Sequence, residues 1–349
     1  YAHHLYLHSY PTRRSSDLSC PFLNENLLCD IYKNLGEHYL SDTCKHYPRY
    51  AYQIDKQFER SATTSCPEIV RLALLNLKGI SFEHLEEPFE NKINVTSQLE
   101  TEGHLYLQKS QRYFWDIRIF SLNLLQNRQY ALGDRLTILG IVFKKIDALQ
   151  IEKRMQELPA LLGSLKSMID QGQFSEDLNA IPVNTQIQMR LAKEMTDKKF
   201  IEGIASQRYI ECFRETLLGL NQFDETPIEE VLEAYESGYN NYLKPYLDEK
   251  AYILENYLVN EFFRSMMPFG SFNTSWEAYT FLCILYGMVK LHLIGMAGYH
   301  KGMDDEKSLK LIQSFSKVVL HNNQYIQNVV KLVKDSGFDS LAQIGRAHV

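Results

Sequence analysis

Residues 279–299 read YTFLCILYGMVKLHLIGMAGY. This run is long enough to cross a bilayer as a helix. Lys290 and His292 stand near its middle, which is expensive in lipid, and its small and apolar residues equally suit a helix buried in protein. The buried reading is preferred. A helix apolar on all sides needs other helices to cover it, so the run predicts a mainly α fold.

Working outward, the pattern from residue 67 onward is helical. Residues 68–77 (EIVRLALLNL) carry apolar positions at three- and four-residue spacing. Residues 79–95 read as a polar loop. Residues 113–126 and 134–151 are two strong helices with Gly133 between them. The section 152–222 is mixed, with a loop at Pro182 and a strand or extended segment at 184–194. Thr226-Pro227-Ile228-Glu229 resembles a capping box and opens a helix expected to run to Phe263, kinked at Pro245. A break at 268–275 precedes the apolar helix, and a last helix is predicted over 306–334, closed by Gly337. No repeat and no low-complexity run stands out.

The two ends do not read as native protein. Residues 8–18 (HSYPTRRSSDL) and 344–349 (IGRAHV) look like translated sequencing adaptors. Residues 1–18 and 344–349 are therefore set aside. The expectation is a fragment of about 325 native residues, enough for one large or two smaller domains. Removing Arg13, Arg14, Arg346 and Asp17 shifts the net charge from −6 to −8. An acidic chain argues against nucleic acid as a partner, since phosphate neutralisation needs a basic face. Ten Pro and 17 Gly are few for this length and favour long helices.

Four of the six Cys fall in the first 66 residues: Cys20, Cys29, Cys44 and Cys66. No signal peptide is visible, so the reducing cytoplasm is the expected place of action. There, clustered cysteines more often serve metal or redox chemistry than disulfides. Cys20-Pro21 and Cys66-Pro67 repeat a pairing found at cluster-ligating cysteines. Four thiolates suit either tetrahedral zinc or a four-iron cluster. Cys212 and Cys283 lie in apolar helical surroundings and read as core. The expected layout is a Cys-rich metal-binding module at 19–75 in front of a helical domain at 76–343.

Residues 20–49 (CPFLNENLLCDIYKNLGEHYLSDTCKHYPR) resemble the cysteine-rich segment of flagellin lysine-N-methylases. Part of this pattern is shared with small zinc- or iron-chelating Cys-rich domains. Ser65-Cys66-Pro67-Glu68 with Arg71-Leu72 resembles the family's second Cys motif. Asp116-Ile117-Arg118, Asn127-Arg128, Arg135-Leu136, Asn256-Tyr257-Leu258-Val259-Asn260, Pro268-Phe269 and Lys290 to Gly295 add to the likeness, which spans most of 19–335. The resemblance implies methyl transfer from S-adenosylmethionine to lysine ε-amines of flagellin, with dependence on an iron–sulfur cluster of the 4Fe-4S kind. It also implies further cysteines upstream of Cys20, so these four read as one part of a larger ligand set.

The residues leave the methyl-donor site open. No Gly-rich strand–turn–helix of the Rossmann type is present, and the C-x-x-x-C-x-x-C triplet of radical methyl-donor enzymes is absent from the sequence. Tyr47 and Arg49, just past Cys44, are candidate donor-binding residues, since the Arg fork suits a carboxylate. Tyr235, Tyr239, Tyr242 and Tyr246 fall at i, i+4, i+7 and i+11, as a packing stripe or an aromatic face for a lysine. His292 and His321 are the histidines weighed as bases. The main alternative is a non-enzymatic zinc- or iron-binding module whose helices bind a partner. No membrane is expected as a partner.

Overall fold

The computed structural model describes residues 20–26, 28–86, 95–174, 178, 206–222, 226–272 and 274–335. The expected loop at Pro182, the extended segment at 184–194, the stop at Gly337 and both adaptor-like ends lie outside them. The chain divides into two compact units at the Tyr47–Pro48 bond.

The first unit is held by local bonds. Asn24 organises its start: its side-chain amide donates to Asp30 Oδ1 (2.9 Å), and its Oδ1 accepts from the backbone of Asn26 (3.0 Å) and Leu28 (3.1 Å). Helix α1 (Asp30–Leu35) follows Cys29 and ends at Gly36, whose φ of 87° favours glycine. Helix α2 (Asp42–His46) is capped by Ser41, whose hydroxyl accepts from Cys44 N–H. None of the described residues of this unit is buried.

The second unit opens with a hairpin that the sequence reading did not anticipate. Strands β1 (Arg49–Ile54) and β2 (Gln57–Ala62) pair antiparallel from Arg49↔Ala62 to Ile54↔Gln57, turning through Asp55 in the left-handed region. Strand β3 (Ser97–Leu99) joins β1 in parallel. Asp55 fixes the return segment by accepting from Thr101 N (2.8 Å) and Oγ1 (2.6 Å). Helix α3 (Pro67–Leu74) starts with Cys66 at its N-cap and Pro67 in its first turn, where a missing N–H is harmless. Val70, Leu74 and Ile54 enter the main core, so these elements belong with the helices that follow.

The helical body comprises α4 (Phe114–Leu125), α5 (Leu132–Ile151), α6 (Leu158–Asp170), α7 (Gln207–Gly219), α8 (Ile228–Ser237), a π-helical segment (Gly238–Leu243), α9 (Lys244–Lys250), α10 (Tyr252–Arg264), α11 (Ser275–His300), α12 (Asp305–Val319) and α13 (Asn323–Asp335). The mainly α class holds. Helix α11 is the apolar run quoted above. Thr274 caps it by accepting from Glu277 N–H (3.1 Å), and Lys301 ends it in the left-handed conformation. Every residue from 278 to 298 is buried, and α5, α7, α8, α10 and α12 pack against it. Its apolar surface is covered by protein, as the buried reading requires.

Helix α7 crosses α11 at glycines. A Cβ on Gly219 would fall 1.8 Å from the Gly295 carbonyl oxygen, and one on Gly298 would meet the Gly219 carbonyl at 2.9 Å. Only glycine permits that approach.

Two helices differ from expectation. The predicted helix from Thr226 starts instead at Ile228, with Pro227 at its N-cap. Helical backbone then continues to Arg264, as expected, but through a π turn at 238–243, which puts Pro245 in the first turn of α9, and a turn at Ala251 that separates α9 from α10. The predicted helix over 306–334 breaks at Leu320–Asn322, where Asn322 Oδ1 accepts from Tyr325 N–H (2.9 Å) and caps α13.

Candidate active site

Helix α10 reads YILENYLVNEFFR, and its polar residues Glu255, Asn256, Glu261 and Arg264 are buried, with Asn260 half-buried. Each one holds another element. Glu255 accepts from Arg128 Nη2 (2.8 Å) and Arg135 Nη1 (2.7 Å), while Arg135 also donates to the carbonyls of Tyr130 and Leu125. Asn256 donates to the Asn76 carbonyl (2.9 Å) just past α3, and Asn260 to the Ala62 carbonyl (3.1 Å) at the end of β2. Arg118 closes the far end of α10. It donates to Glu59 Oε2 (2.5 Å) and to the Phe263 and Met267 carbonyls (both 3.0 Å), and stacks on the Phe263 ring at 4.4 Å. Burial pulls the Arg118 guanidinium down to about 10 and pushes the Glu59 carboxyl up, and each partner opposes that pull. Arg118, Arg128, Arg135, Asn256 and Asn260 are residues on which the family resemblance rests. They brace α10 against the hairpin, α3, α4 and α5.

The braced helix presents Glu261 and Arg264 to the junction between β2 and α3, residues 63–66. Glu261 Oε2 accepts from Arg264 Nε (2.8 Å). The Thr64 hydroxyl bridges Glu261 Oε1 (2.9 Å) and Ser316 Oγ (2.8 Å). Gln313 of α12 donates to the Ser65 carbonyl (2.6 Å). His321 Nε2 lies 2.9 Å from Ser65 Oγ, bringing together residues 256 apart in the chain. Cys66 follows, its backbone N–H donating to the Thr63 carbonyl (3.2 Å) at the head of α3. His321 is solvent-accessible. Partial desolvation lowers its imidazole below the ordinary value; Arg264 and Lys317 add to that and Glu261 opposes it. A neutral imidazole at pH 7, open to solvent and anchored on a serine, can take up a proton.

His292 cannot serve in that way. Its Nδ1–H donates to the Met288 carbonyl (2.7 Å), so Nε2 accepts from the Tyr209 hydroxyl (3.0 Å). Burial pushes it down to about 4. It is a core histidine with both ring nitrogens engaged.

The tyrosine stripe faces the protein's own lysines. Tyr239 lies 4.8 Å from Lys290 Nζ, Tyr242 5.2 Å from Lys301 Nζ and Tyr246 5.8 Å from Lys250 Nζ. All four tyrosines are half-buried and pack against the core, as the packing-stripe reading expects, and a π segment at 238–243 lies between the first and the last of them. Lys290 is buried between the Tyr239 and Tyr286 rings, and desolvation lowers it to about 7.

Among the predicted metal ligands, Cys20 and Cys44 are exposed, and Cys29 and Cys66 half-buried. All six cysteines carry free thiols. Among the described residues, no three His, Cys, Asp or Glu side chains converge to hold a metal ion, so the residues in place do not fit a closed metal or cluster site. Cys212 and Cys283 are buried as expected, and burial pushes the Cys283 thiol up to about 12. Tyr47 ends α2, and Arg49, exposed, opens β1 opposite Ala62. The sequence reading did not single out Glu261, Arg264, Gln313 or Ser316. The available signal was a pair of polar doublets, Glu255-Asn256 and Asn260-Glu261, interrupting an otherwise apolar helix.

The profile of the FliB lysine N-methylase C-terminal domain matches residues 118–344. The chain is 20% identical over 325 residues to the lysine-N-methylase of Salmonella typhimurium, covering 89% of this chain and 75% of that protein. The lysine-N-methylase of Salmonella choleraesuis matches to the same extent. The flagellar biosynthetic protein FliU of Salmonella muenchen is 37% identical over 51 residues, 15% of this chain and 30% of that protein. No solved structure matches.

Proposed function

Because the chain belongs to the FliB lysine N-methylase C-terminal domain family, we propose that it is a lysine methyltransferase acting on ε-amines of flagellin. The observation that carries this reading is the likeness to lysine-N-methylases along nearly nine-tenths of the chain, not only at the cysteines. The shorter likeness to a flagellar biosynthetic protein supports a flagellar substrate. S-adenosylmethionine is the proposed donor. The six free thiols accord with action in the cytoplasm.

The reaction makes one bond and breaks one. The lysine ammonium gives up a proton, its nitrogen attacks the sulfonium methyl, the carbon–sulfur bond breaks, and S-adenosylhomocysteine leaves. We assign His321 as the proton acceptor. The lysine must also be lowered by desolvation, because an ordinary ammonium is far more basic than an imidazole. Since the His321 pKa is lowered, the imidazole is free at neutral pH and becomes protonated only as the pH falls below its ordinary range. Activity should therefore be lost on the acid side.

Iron–sulfur dependence is proposed with Cys20, Cys29, Cys44 and Cys66 as contributing ligands. The first unit, in which none of the described residues is buried, stands to gain most from a metal that binds only the folded form. The described residues do not close such a site, and no step of the reaction is routed through it.

The test is anaerobic purification, incubation with flagellin and S-adenosylmethionine, and mass spectrometry of the flagellin lysines. Methylated lysines are expected. The His321→Ala variant should be slower by about 10²–10⁴-fold. A folded protein that leaves flagellin unmodified sinks the activity. A colourless protein that carries zinc removes the cluster.

A further inference from the structure

The π segment at 238–243 borders a cleft of about 300 Å³ where the C-terminal ends of α7 and α11 meet. Gly219, Gly238, Gly298, Tyr242, Tyr299 and Lys301 are among the residues that line it. The glycines are there because helix backbones approach closely: a Cβ on Gly238 would fall 2.9 Å from the Ile294 carbonyl oxygen. Both converging helix ends carry the negative pole of their dipoles, which favours a cation. The Tyr242 ring already receives one, since Lys301 Nζ lies 5.2 Å from its centroid. The volume is at the lower limit of ligand pockets, which suits one side chain better than a nucleoside-sized donor.

We propose that this cleft docks an alkylammonium side chain, a lysine or methyl-lysine of the polypeptide substrate, held over Tyr242 in competition with Lys301. The cleft's last lining residue, Lys301, precedes α12, and His321 follows the far end of that 15-residue helix, which is about 22 Å long. It is thus a second contact for the polypeptide, apart from the Ser65–His321 junction. The identity of the side chain rests on the lysine methyltransferase reading; the cation preference rests on the cleft alone.

The test uses the full chain and two probes, Nα-acetyl-trimethyl-lysine amide and its uncharged counterpart Nα-acetyl-norleucine amide, in a saturation-transfer NMR titration. The cationic probe should bind several-fold more tightly than the neutral one. Tyr242→Ala should weaken the cationic probe by about fivefold. Lys301→Asn removes the internal competitor, and Asn tolerates the left-handed backbone there, so this variant should bind the probe more tightly. Equal binding of both probes, or no strengthening in Lys301→Asn, overturns the proposal; the second arm does not depend on Tyr242→Ala folding well. In methylation assays, Tyr242→Ala should raise KM for flagellin without lowering kcat. Unchanged KM in both variants, with methylation intact, removes the docking site and leaves the enzyme reading standing. Selective cation binding without any methylation does the reverse.

Discussion

Between Cys20 and Tyr47 no described side chain is buried, and Phe22, Leu28, Tyr32, Leu35 and Tyr39 are exposed. In the unit from Pro48 onward, α11 is enclosed over 21 consecutive residues, and even Arg118, Glu255 and Glu261 are buried. The first unit depends on turns, caps and one side-chain hub at Asn24. The second depends on packing, with Arg118, Glu255 and Glu261 each matched to an opposite charge. Local bonds contribute about 1 kcal/mol each, whereas burial adds with every side chain enclosed. The contrast teaches that burial sustains the helical unit, whereas the first unit rests on local bonds, which is where the proposed metal would act.

The strongest way to break this comparison is to remove a matched charge. Glu255→Ala leaves Arg135 buried without its carboxylate and should cost about 3–5 kcal/mol. Urea unfolding followed by Trp115 and Trp276 fluorescence measures it. A loss under 1 kcal/mol would mean that α10 is not braced as described.

The next effect runs in the opposite direction. The Lys290 pKa is about 7 in the folded protein against 10.5 for an ordinary lysine. Below pH 7 the lysine is charged in both folded and unfolded states, and the fold carries the full burial penalty. Between about 7 and 10.5 the unfolded chain holds a proton that the folded one has shed, so this group makes stability rise with pH. Lys290→Met should remove that rise and stabilise the protein near pH 6 by up to ~5 kcal/mol. Denaturation midpoints of the two proteins between pH 6 and 10 decide it. Parallel profiles would show that the Tyr239 and Tyr286 rings keep the charge at no cost.

The smallest effect sharpens the other side of the comparison. Cys20→Ser together with Cys29→Ser should move the urea transition of the helical unit by less than about 0.5 kcal/mol, because neither side chain is part of its core. If the same pair abolishes bound iron in anaerobic protein, the two units are separable in stability and joined in function.

Much of the helical body was legible because hydrophobic periodicity is local. Helices over 113–126 and 134–151, the apolar α11 and the core cysteines followed from spacing and composition. The hairpin at 49–62 was overlooked although Tyr50, Tyr52 and Ile54 alternate ahead of an Asp55-Lys56 turn. The π segment and the break at Leu320–Asn322 were hidden because 3.6-residue spacing continues plausibly through both. The tyrosine stripe was legible as packing, since all four rings lie against the core; the widened turn inside it was not.

Sequence alone determined the helical class, the buried character of α11, the cysteine motif and the family likeness, since each is written in neighbouring residues. Only the tertiary structure decided what the polar residues do. Ser65 and His321 meet because α12 packs over the head of α3, and His292 is silenced because Tyr209 takes its second nitrogen. Lys290 is enclosed because a π turn places Tyr239 against it. Those partners lie tens to hundreds of residues apart, and no local spacing rule reaches across that separation; burial among packed helices fixes both their proximity and their protonation.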